Sequence, residues 1–91
     1  MQDRSWTVLS LLDWGTEYFE QKEVRNPRFS IEWLLSHVLE VKRLDLYLLF
    51  ERPLRSTELE CIRPMVQRRG KHEPLQYITG KVDFFGIELS V

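Results

Sequence analysis

The chain of 91 residues is long enough for one small domain, and its content of 43% hydrophobic and 30% charged residues is typical of a folded globular protein. The 13 basic and 14 acidic side chains give a net charge of −1, so no overall field attracts nucleic acid or anionic lipid. Cys61 is the single cysteine, which excludes an internal disulfide and a zinc site of paired cysteines and fits a reducing cytoplasm.

No segment resembles a membrane anchor or an export signal. The longest unbroken apolar run, Leu46 to Phe50, is far below the ~20 residues that span a bilayer. The N-terminus also lacks an apolar run after a basic stretch. The sequence therefore predicts a soluble, cytoplasmic protein that does not bind membranes.

The first predicted helix follows Ser5, its expected N-cap. Its apolar face has the spacing of a core-facing helix and consists of Val8, Leu11, Leu12, Gly15, Tyr18 and Phe19. Gly15 lies inside this face, where the missing side chain would let another helix approach closely. Trp6 and Trp14 lie beside the face and are expected to cover its edges.

The second predicted helix begins at "NPRF". Asn26 is placed to cap it, and Pro27 occupies the first helical position, where its missing N–H is not needed. Its apolar face consists of Ile31, Leu34, Leu35, Val38 and Leu39. Trp33 and His37 lie one turn apart on the other side. Such a helix is predicted to be central in a bundle rather than a surface helix with a binding face.

Two more helices are predicted before the C-terminal region. The stretch "RLDLYLLF", residues 43–50, is apolar almost all round, so a short buried helix ended by Pro53 is expected. The stretch "RST" then supplies the cap of a longer helix that ends at Gly70. The apolar face of this longer helix consists of Leu59, Ile62, Met65 and Val66. Pro64 lies inside it and predicts a kink.

Basic residues gather at the end of that longer helix, namely Arg68, Arg69, Lys71 and His72. Cations at a helix C-terminus complement the helix dipole. The pattern therefore favours a solvated helix end over a phosphate-binding patch, although the sequence alone leaves both open.

The pattern changes after Glu73. Residues 74–79 predict one more helical turn, closed by Gly80. Residues 81–91 alternate apolar and polar side chains around a turn at Phe85-Gly86, which predicts a β-hairpin. The predicted fold class is therefore mainly α: a bundle of four to five helices over residues 1–80, followed by a C-terminal β-hairpin that must pack on something to be stable.

No pattern indicates catalysis, a metal site or a cofactor site in this chain. The four glycines are too scattered for a phosphate-binding loop. Cys61 lies off the apolar face of its helix without a nearby histidine, and His37 and His72 lack metal-ligand spacing. The "NPRF" stretch resembles the N-P-P-Y motif of methyltransferases, but charged residues precede it instead of a strand, so a helix start is the better interpretation.

Three stretches in order carry a family resemblance: "IEWLLSHVL", "RLDLYLLFERPL" and "RRGKHEPLQYITGKVDFFGIELSV". Together they resemble the N-terminal domain of the HemK/PrmC family, methyltransferases that modify the glutamine of the GGQ motif in bacterial peptide chain release factors. The resemblance runs from about Trp6 to Val91. Its most specific part is the E-P-x-Q-Y-I-x-G block with the aromatic-glycine hairpin that follows.

The resemblance implies a helical domain joined through the hairpin to a larger Rossmann-like domain that binds S-adenosylmethionine. It places the cofactor loop and the true N-P-P-Y motif beyond Val91, so no catalytic or cofactor-binding residue is transferred to this sequence. The fragment is expected to help dock the release factor and to be inactive alone. Five residues match the family block, with expected roles in turns and the interdomain connection: Pro74, Tyr77, Gly80, Phe84 and Gly86.

Two other functions stay open. One is a stand-alone helical adaptor that binds a protein partner. The other is a nucleic-acid-binding domain, which the net charge of −1 and the lack of a basic recognition helix disfavour. A gene that continues into a cofactor loop and N-P-P-Y would support the methyltransferase interpretation, whereas a stop codon would support the adaptor.

Overall fold

The computed structural model describes residues 6–79. The regular elements of this range are helices, in the order α1 (Val8–Gln21), α2 (Pro27–Leu39), a 3₁₀ helix (Arg43–Leu48), α3 (Ser56–Gly70) and α4 (Leu75–Thr79). The predicted mainly α fold is therefore confirmed for the described residues. Gly80 and the predicted hairpin over 81–91 lie outside them.

Helix α2 is the centre of the bundle. It packs against α1, the 3₁₀ helix, α3 and α4, as its apolar groups on two sides predicted. The buried hydrophobic core draws on all five elements and on the α1–α2 connection; its most enclosed members are Val8, Leu12, Phe19, Ile31, Leu34, Leu35 and Leu46. Side chains of α2 therefore contact four neighbouring elements.

Helix α1 begins at Val8, and its N-cap is Thr7 rather than the predicted Ser5. The Thr7 hydroxyl accepts the backbone N–H of Ser10 at 3.2 Å, and the Ser10 hydroxyl oxygen accepts that of Thr7 at 2.8 Å. This reciprocal pair satisfies two N–H groups that have no partner within the helix. An antiparallel bridge to Pro53 holds Thr7 in the extended conformation that a cap requires.

Gly15 is where α1 and α2 approach most closely. A β-carbon at this position would lie 2.5 Å from Cγ1 and 2.6 Å from Cδ1 of Ile31. Carbon atoms in contact are normally about 3.5–4.0 Å apart, so only glycine fits here. The prediction that Gly15 admits a neighbouring helix is confirmed, and Ile31 is the residue that occupies the space.

Helix α2 begins at Pro27 as predicted, but the side chain of Asn26 makes no capping hydrogen bond. Asn26 has a left-handed backbone, with φ 52° and ψ 62°, whereas a side-chain cap normally requires an extended one. Glu40 ends the helix and is also left-handed, with φ 60°. Glycine is the usual residue at such a helix end, so Glu40 holds a conformation that most side chains avoid.

Helix α3 runs from Ser56 to Gly70, as predicted, and includes Pro64, where the kink stays a prediction. Its first turn is stabilised by Glu58, which accepts the backbone N–H of Arg55 at 2.9 Å and two bonds from the Arg52 guanidinium at 3.0 and 3.1 Å. The ion pair joins the chain before α3 to the helix itself.

The prediction of a short helix within residues 43–50 is confirmed, but the prediction that this helix is buried is wrong. The segment forms a 3₁₀ helix over Arg43–Leu48, in which only Leu46 is buried. A 3₁₀ helix has three residues per turn, so residues 43 and 46 share the side facing α2, while Leu44 and Tyr47 share another side. The apolar pattern all round this segment therefore does not reflect burial on all sides.

Candidate functional site

Glu32 lies in the middle of α2, and its side chain is only 2% exposed. Its carboxylate accepts hydrogen bonds from Arg28 Nε at 3.0 Å, from Arg43 Nη1 at 2.9 Å and from the Tyr47 hydroxyl at 2.7 Å. Arg28 also pairs with Asp13 of α1 at 3.2 Å. We call Glu32, Arg28, Arg43 and Tyr47 the Glu32 network; it fastens the 3₁₀ helix to α2.

The Glu32 network is built to hold a charged carboxylate. Burial by itself raises the pKa of Glu32, but the hydrogen bonds from Tyr47, Arg43 and Arg28 outweigh it, so the pKa lies below its ordinary value. Burial lowers the pKa of Arg28, yet its bonds to Glu32 and Asp13 leave that pKa raised. A buried carboxylate held in its charged form by two guanidinium groups and a hydroxyl is the pattern of a structural ion pair rather than of an acid or base in catalysis.

Four large apolar side chains in or next to this network are exposed to solvent. The exposed fractions are 82% for Leu48, 70% for Leu44, 47% for Tyr47 and 37% for Phe29. The guanidinium of Arg43 lies over the Phe29 ring, 4.8 Å from its centroid. We call Phe29, Leu44, Tyr47 and Leu48 the 3₁₀ edge. Arg43 and Tyr47 connect this edge to Glu32, so buried polar contacts fix the position of exposed apolar groups.

A second apolar feature lies between α1 and α3. It is a shallow cavity of about 110 Å³ lined by Trp6, Leu11, Trp14, Leu59, Ile62, Arg63 and Val66. Trp14 stacks on Tyr18 with 5.3 Å between ring centroids and meets Trp6 edge to face at 6.0 Å. The two tryptophans thus cover the edge of α1, as predicted.

The basic residues at the end of α3 make contacts within the bundle. Arg68 pairs with Glu73 at 2.8 Å. Arg69 donates to the Ser30 hydroxyl at 3.1 Å and to the carbonyl of Glu73 at 2.7 Å, and burial lowers its pKa. His72 Nε2 lies 3.0 Å from the carbonyl of Lys22. The contacts of Arg69 and His72 join α3 to α2 and to the end of α1.

The predicted interdomain residues are only partly within the described range. Pro74 lies directly before α4, and its carbonyl accepts the N–H groups of Tyr77 and Ile78. The Tyr77 side chain is 68% exposed. Gly80, Phe84 and Gly86 lie outside the described residues, so their roles stay predictions. Cys61 is exposed, and residues 6–79 contain no group of three metal-binding side chains.

The sequence analysis missed the Glu32 network. The one local signal is the four-residue spacing of Arg28 and Glu32, which places both on one face of α2. A single acidic residue beside an arginine on a helix normally indicates a solvated face, and nothing local shows that Arg43 and Tyr47 arrive from another element. The buried carboxylate is therefore visible only in the folded chain.

One known family matches most of the described range. The profile of the PrmC N-terminal domain matches residues 10–80. This chain belongs to the PrmC N-terminal domain family. The resemblance to HemK/PrmC seen in the sequence is thereby confirmed, and α1 to α4 together form the helical domain of this family.

Three relatives of this PrmC-type domain carry the same description. A release factor glutamine methyltransferase of Geobacter sulfurreducens is 45% identical over 86 residues, which cover 94% of this chain and 30% of the relative. The one of Chlorobaculum tepidum is 41% identical over 90 residues, or 99% of this chain and 31% of the relative. A human release factor glutamine methyltransferase is 35% identical over 85 residues, which cover 91% of this chain and 25% of the relative. No solved structure matches the chain.

The chain therefore spans about 30% of the length of the first two relatives that it matches. The described helices of this PrmC-type domain include none with the length and apolar character needed to cross a membrane. The family of this domain is thus established by the match over residues 10–80.

Proposed function

We propose that this chain is the N-terminal, substrate-recognition domain of an S-adenosylmethionine-dependent protein-(glutamine-N5) methyltransferase, which acts on the GGQ glutamine of cytoplasmic peptide chain release factors. The observation that carries the proposal is the family match over residues 10–80, together with the three relatives that are described as release factor glutamine methyltransferases. S-adenosylmethionine is the cofactor of the whole enzyme in this proposal, bound outside this chain.

The role of the domain is to hold the release factor, not to transfer the methyl group. Orienting a large substrate can supply much of a rate enhancement without contact with the bond that forms. The geometry supports this division, because the one buried carboxylate of the described range, Glu32, is bonded to structural partners. The exposed apolar side chains of the 3₁₀ edge offer a surface for a protein partner instead.

The second partner of the domain is its own catalytic domain. Pro74, Tyr77, Gly80, Phe84 and Gly86 form the proposed connection to it. Tyr77 supports this placement, because its side chain is largely exposed on α4 next to the end of the described range.

A direct test combines two binding titrations and one methyl-transfer assay of the purified 91-residue chain. The proposal expects binding to a bacterial peptide chain release factor, no calorimetric signal with S-adenosylmethionine, and no methyl transfer to the release factor. Absence of release-factor binding at about 1 mM protein, where even weak contacts are detected, would contradict the docking role. Cofactor binding at micromolar affinity, or any methyl transfer, would contradict the division of labour.

A stand-alone helical adaptor is the second candidate, since the exposed 3₁₀ edge would serve it equally well. The nucleotide sequence after codon 91 separates the two candidates, because only the methyltransferase requires a cofactor loop and an N-P-P-Y motif there. Nucleic-acid binding has less support, since Arg68 pairs with the nearby Glu73 and Arg69 bonds to Ser30 and Glu73. A titration with RNA at low salt checks this directly.

A further inference from the structure

The 3₁₀ edge and the Glu32 network together suggest one specific contact surface. We propose that Phe29, Leu44, Tyr47 and Leu48 form the surface that contacts the protein substrate, and that Glu32 is the positioning residue that fixes it. The inference rests on the proposed function, in which the substrate is a peptide chain release factor. It goes further by assigning the docking role to one side of the bundle rather than to the α1–α3 cavity or the basic end of α3.

The charges around the edge define the chemistry of the partner. Arg28 and Arg43 are the cations within the network, and they are balanced by Glu32 and Asp13. Two positive and two negative charges leave no net local charge to attract phosphate. Lys42 and Asp45, at the start of the 3₁₀ helix, add one charge of each sign. The exposed uncharged groups are two leucines and two aromatic rings, so the complementary surface is mainly apolar. A protein surface with projecting aliphatic or aromatic side chains fits this description, and a nucleic-acid backbone does not.

The size of the edge argues against a second copy of this chain as the occupant. From the exposed fractions, the four side chains present on the order of 400 Å², given that a whole aromatic side chain offers about 150–250 Å². A stable interface needs about 800 Å² from each partner. Even taken together, the four side chains therefore offer too little area to hold a dimer. The edge suits a partner that is held at a second place as well, such as a substrate bound at an active site.

The Glu32 network gives the edge a fixed shape before the partner arrives. Only Leu46 of the 3₁₀ helix is buried, so apolar burial contributes little to holding the segment. The contacts of Glu32 with Arg43 and Tyr47 supply the remaining attachment. A surface that is already ordered loses less conformational entropy on binding, and its affinity is correspondingly higher. Loss of the Glu32 charge should therefore weaken binding although Glu32 itself never touches the partner.

The test measures the affinity of the 91-residue chain for a purified bacterial release factor by NMR titration. Leu44→Asp and Leu48→Asp change exposed side chains and should leave the helical circular-dichroism spectrum unchanged, while affinity falls at least 10-fold. Gln67→Asp introduces the same charge at an exposed position on α3 and should bind like the wild type. Glu32→Gln should weaken binding about 3- to 10-fold. Glu58→Gln breaks another ion pair of the bundle and should leave affinity unchanged, which separates positioning from general stability.

The outcomes distinguish the two proposals. If the wild-type chain binds the release factor and the Leu44→Asp and Leu48→Asp variants bind equally well, this inference is wrong while the proposed function stands. If the wild-type chain does not bind at all, the docking role itself fails, and the surface assignment fails with it. Sedimentation of the chain alone gives an independent check. A dimer that Leu48→Asp dissociates would show that the edge is covered by a second copy, and would also overturn the inference.

Discussion

The two sides of α2 are held in opposite ways. Towards α1, the buried contact is apolar and close, with the side chain of Ile31 against the backbone at Gly15. The ion pair between α1 and α2, Arg28–Asp13, is largely exposed. Towards the 3₁₀ helix, the contact depends on a buried carboxylate, Glu32, and the neighbouring apolar side chains face solvent. Apolar residues in this domain thus have two uses: they build the core on one side of the central helix and form an exposed edge on the other.

This difference has a physical basis. Close apolar packing tolerates neither added nor lost volume. The side chains between α2 and α1 are therefore buried and cannot contact a partner. A segment whose leucines face water cannot be held by those leucines, and charged hydrogen bonds with defined geometry can take over that role. The 3₁₀ helix is therefore expected to be the part of the bundle that depends most on one polar residue.

Gly15→Val should have the largest effect on stability. The β-carbon alone would overlap Ile31, so we expect a loss of about 3 kcal/mol in the free energy of unfolding from overpacking. Urea denaturation of the 91-residue chain measures it. Glu17→Val places the same side chain on the exposed side of α1 and should cost no more than about 0.5 kcal/mol. Equal effects of the two variants would show that the α1–α2 contact is looser than described.

Glu32→Gln should lower the free energy of unfolding by about 2 kcal/mol, because three hydrogen bonds to a charged acceptor are weakened. The amides of Asp45 and Leu49, which form the 3₁₀ hydrogen bonds, should exchange with solvent faster than the loss of global stability explains. Amide exchange followed by NMR measures both effects. Exchange that rises equally in α1 and in the 3₁₀ helix would contradict a local attachment through Glu32.

The pH dependence of stability should follow from the lowered pKa of Glu32. A carboxylate with a depressed folded-state pKa stabilises the fold fully above its unfolded value of about 4.3. That contribution is lost as the pH falls below about 4.3 and through the lower folded value. Denaturation at a series of acidic pH values should show a shallower slope for Glu32→Gln than for the wild type. A remaining slope is expected, because the bonds from Arg52 also lower the pKa of Glu58.

Leu48→Ser should have the smallest effect, within about 0.5 kcal/mol of the wild type, since its side chain is almost fully exposed. Thermal unfolding provides the comparison, and Leu46→Ser, which removes the one buried side chain of the same helix, is the matched control. A destabilisation by Leu48→Ser as large as that by Leu46→Ser would show that the edge is packed rather than exposed.

Much of the bundle was predictable because its signals are local. Pro27 can begin a helix but rarely continue one, and Gly15 within an apolar face indicates a close helix contact. The 3₁₀ helix was mispredicted because a continuous apolar run has the same appearance whether it is buried or displayed. The Glu32 network was not predictable beyond Arg28, since its other two partners, Arg43 and Tyr47, are 11 and 15 residues away and their approach depends on the left-handed turn at Glu40.

The most direct measurement of the central claim is a map of NMR chemical-shift changes in the isotope-labelled 91-residue chain as a bacterial release factor is added. The changes should concentrate at Phe29 and residues 43–50, and they should be small in the α1–α3 cavity around Trp14. Changes centred on that cavity, or spread over the basic end of α3, would contradict the assignment of the 3₁₀ edge as the docking surface.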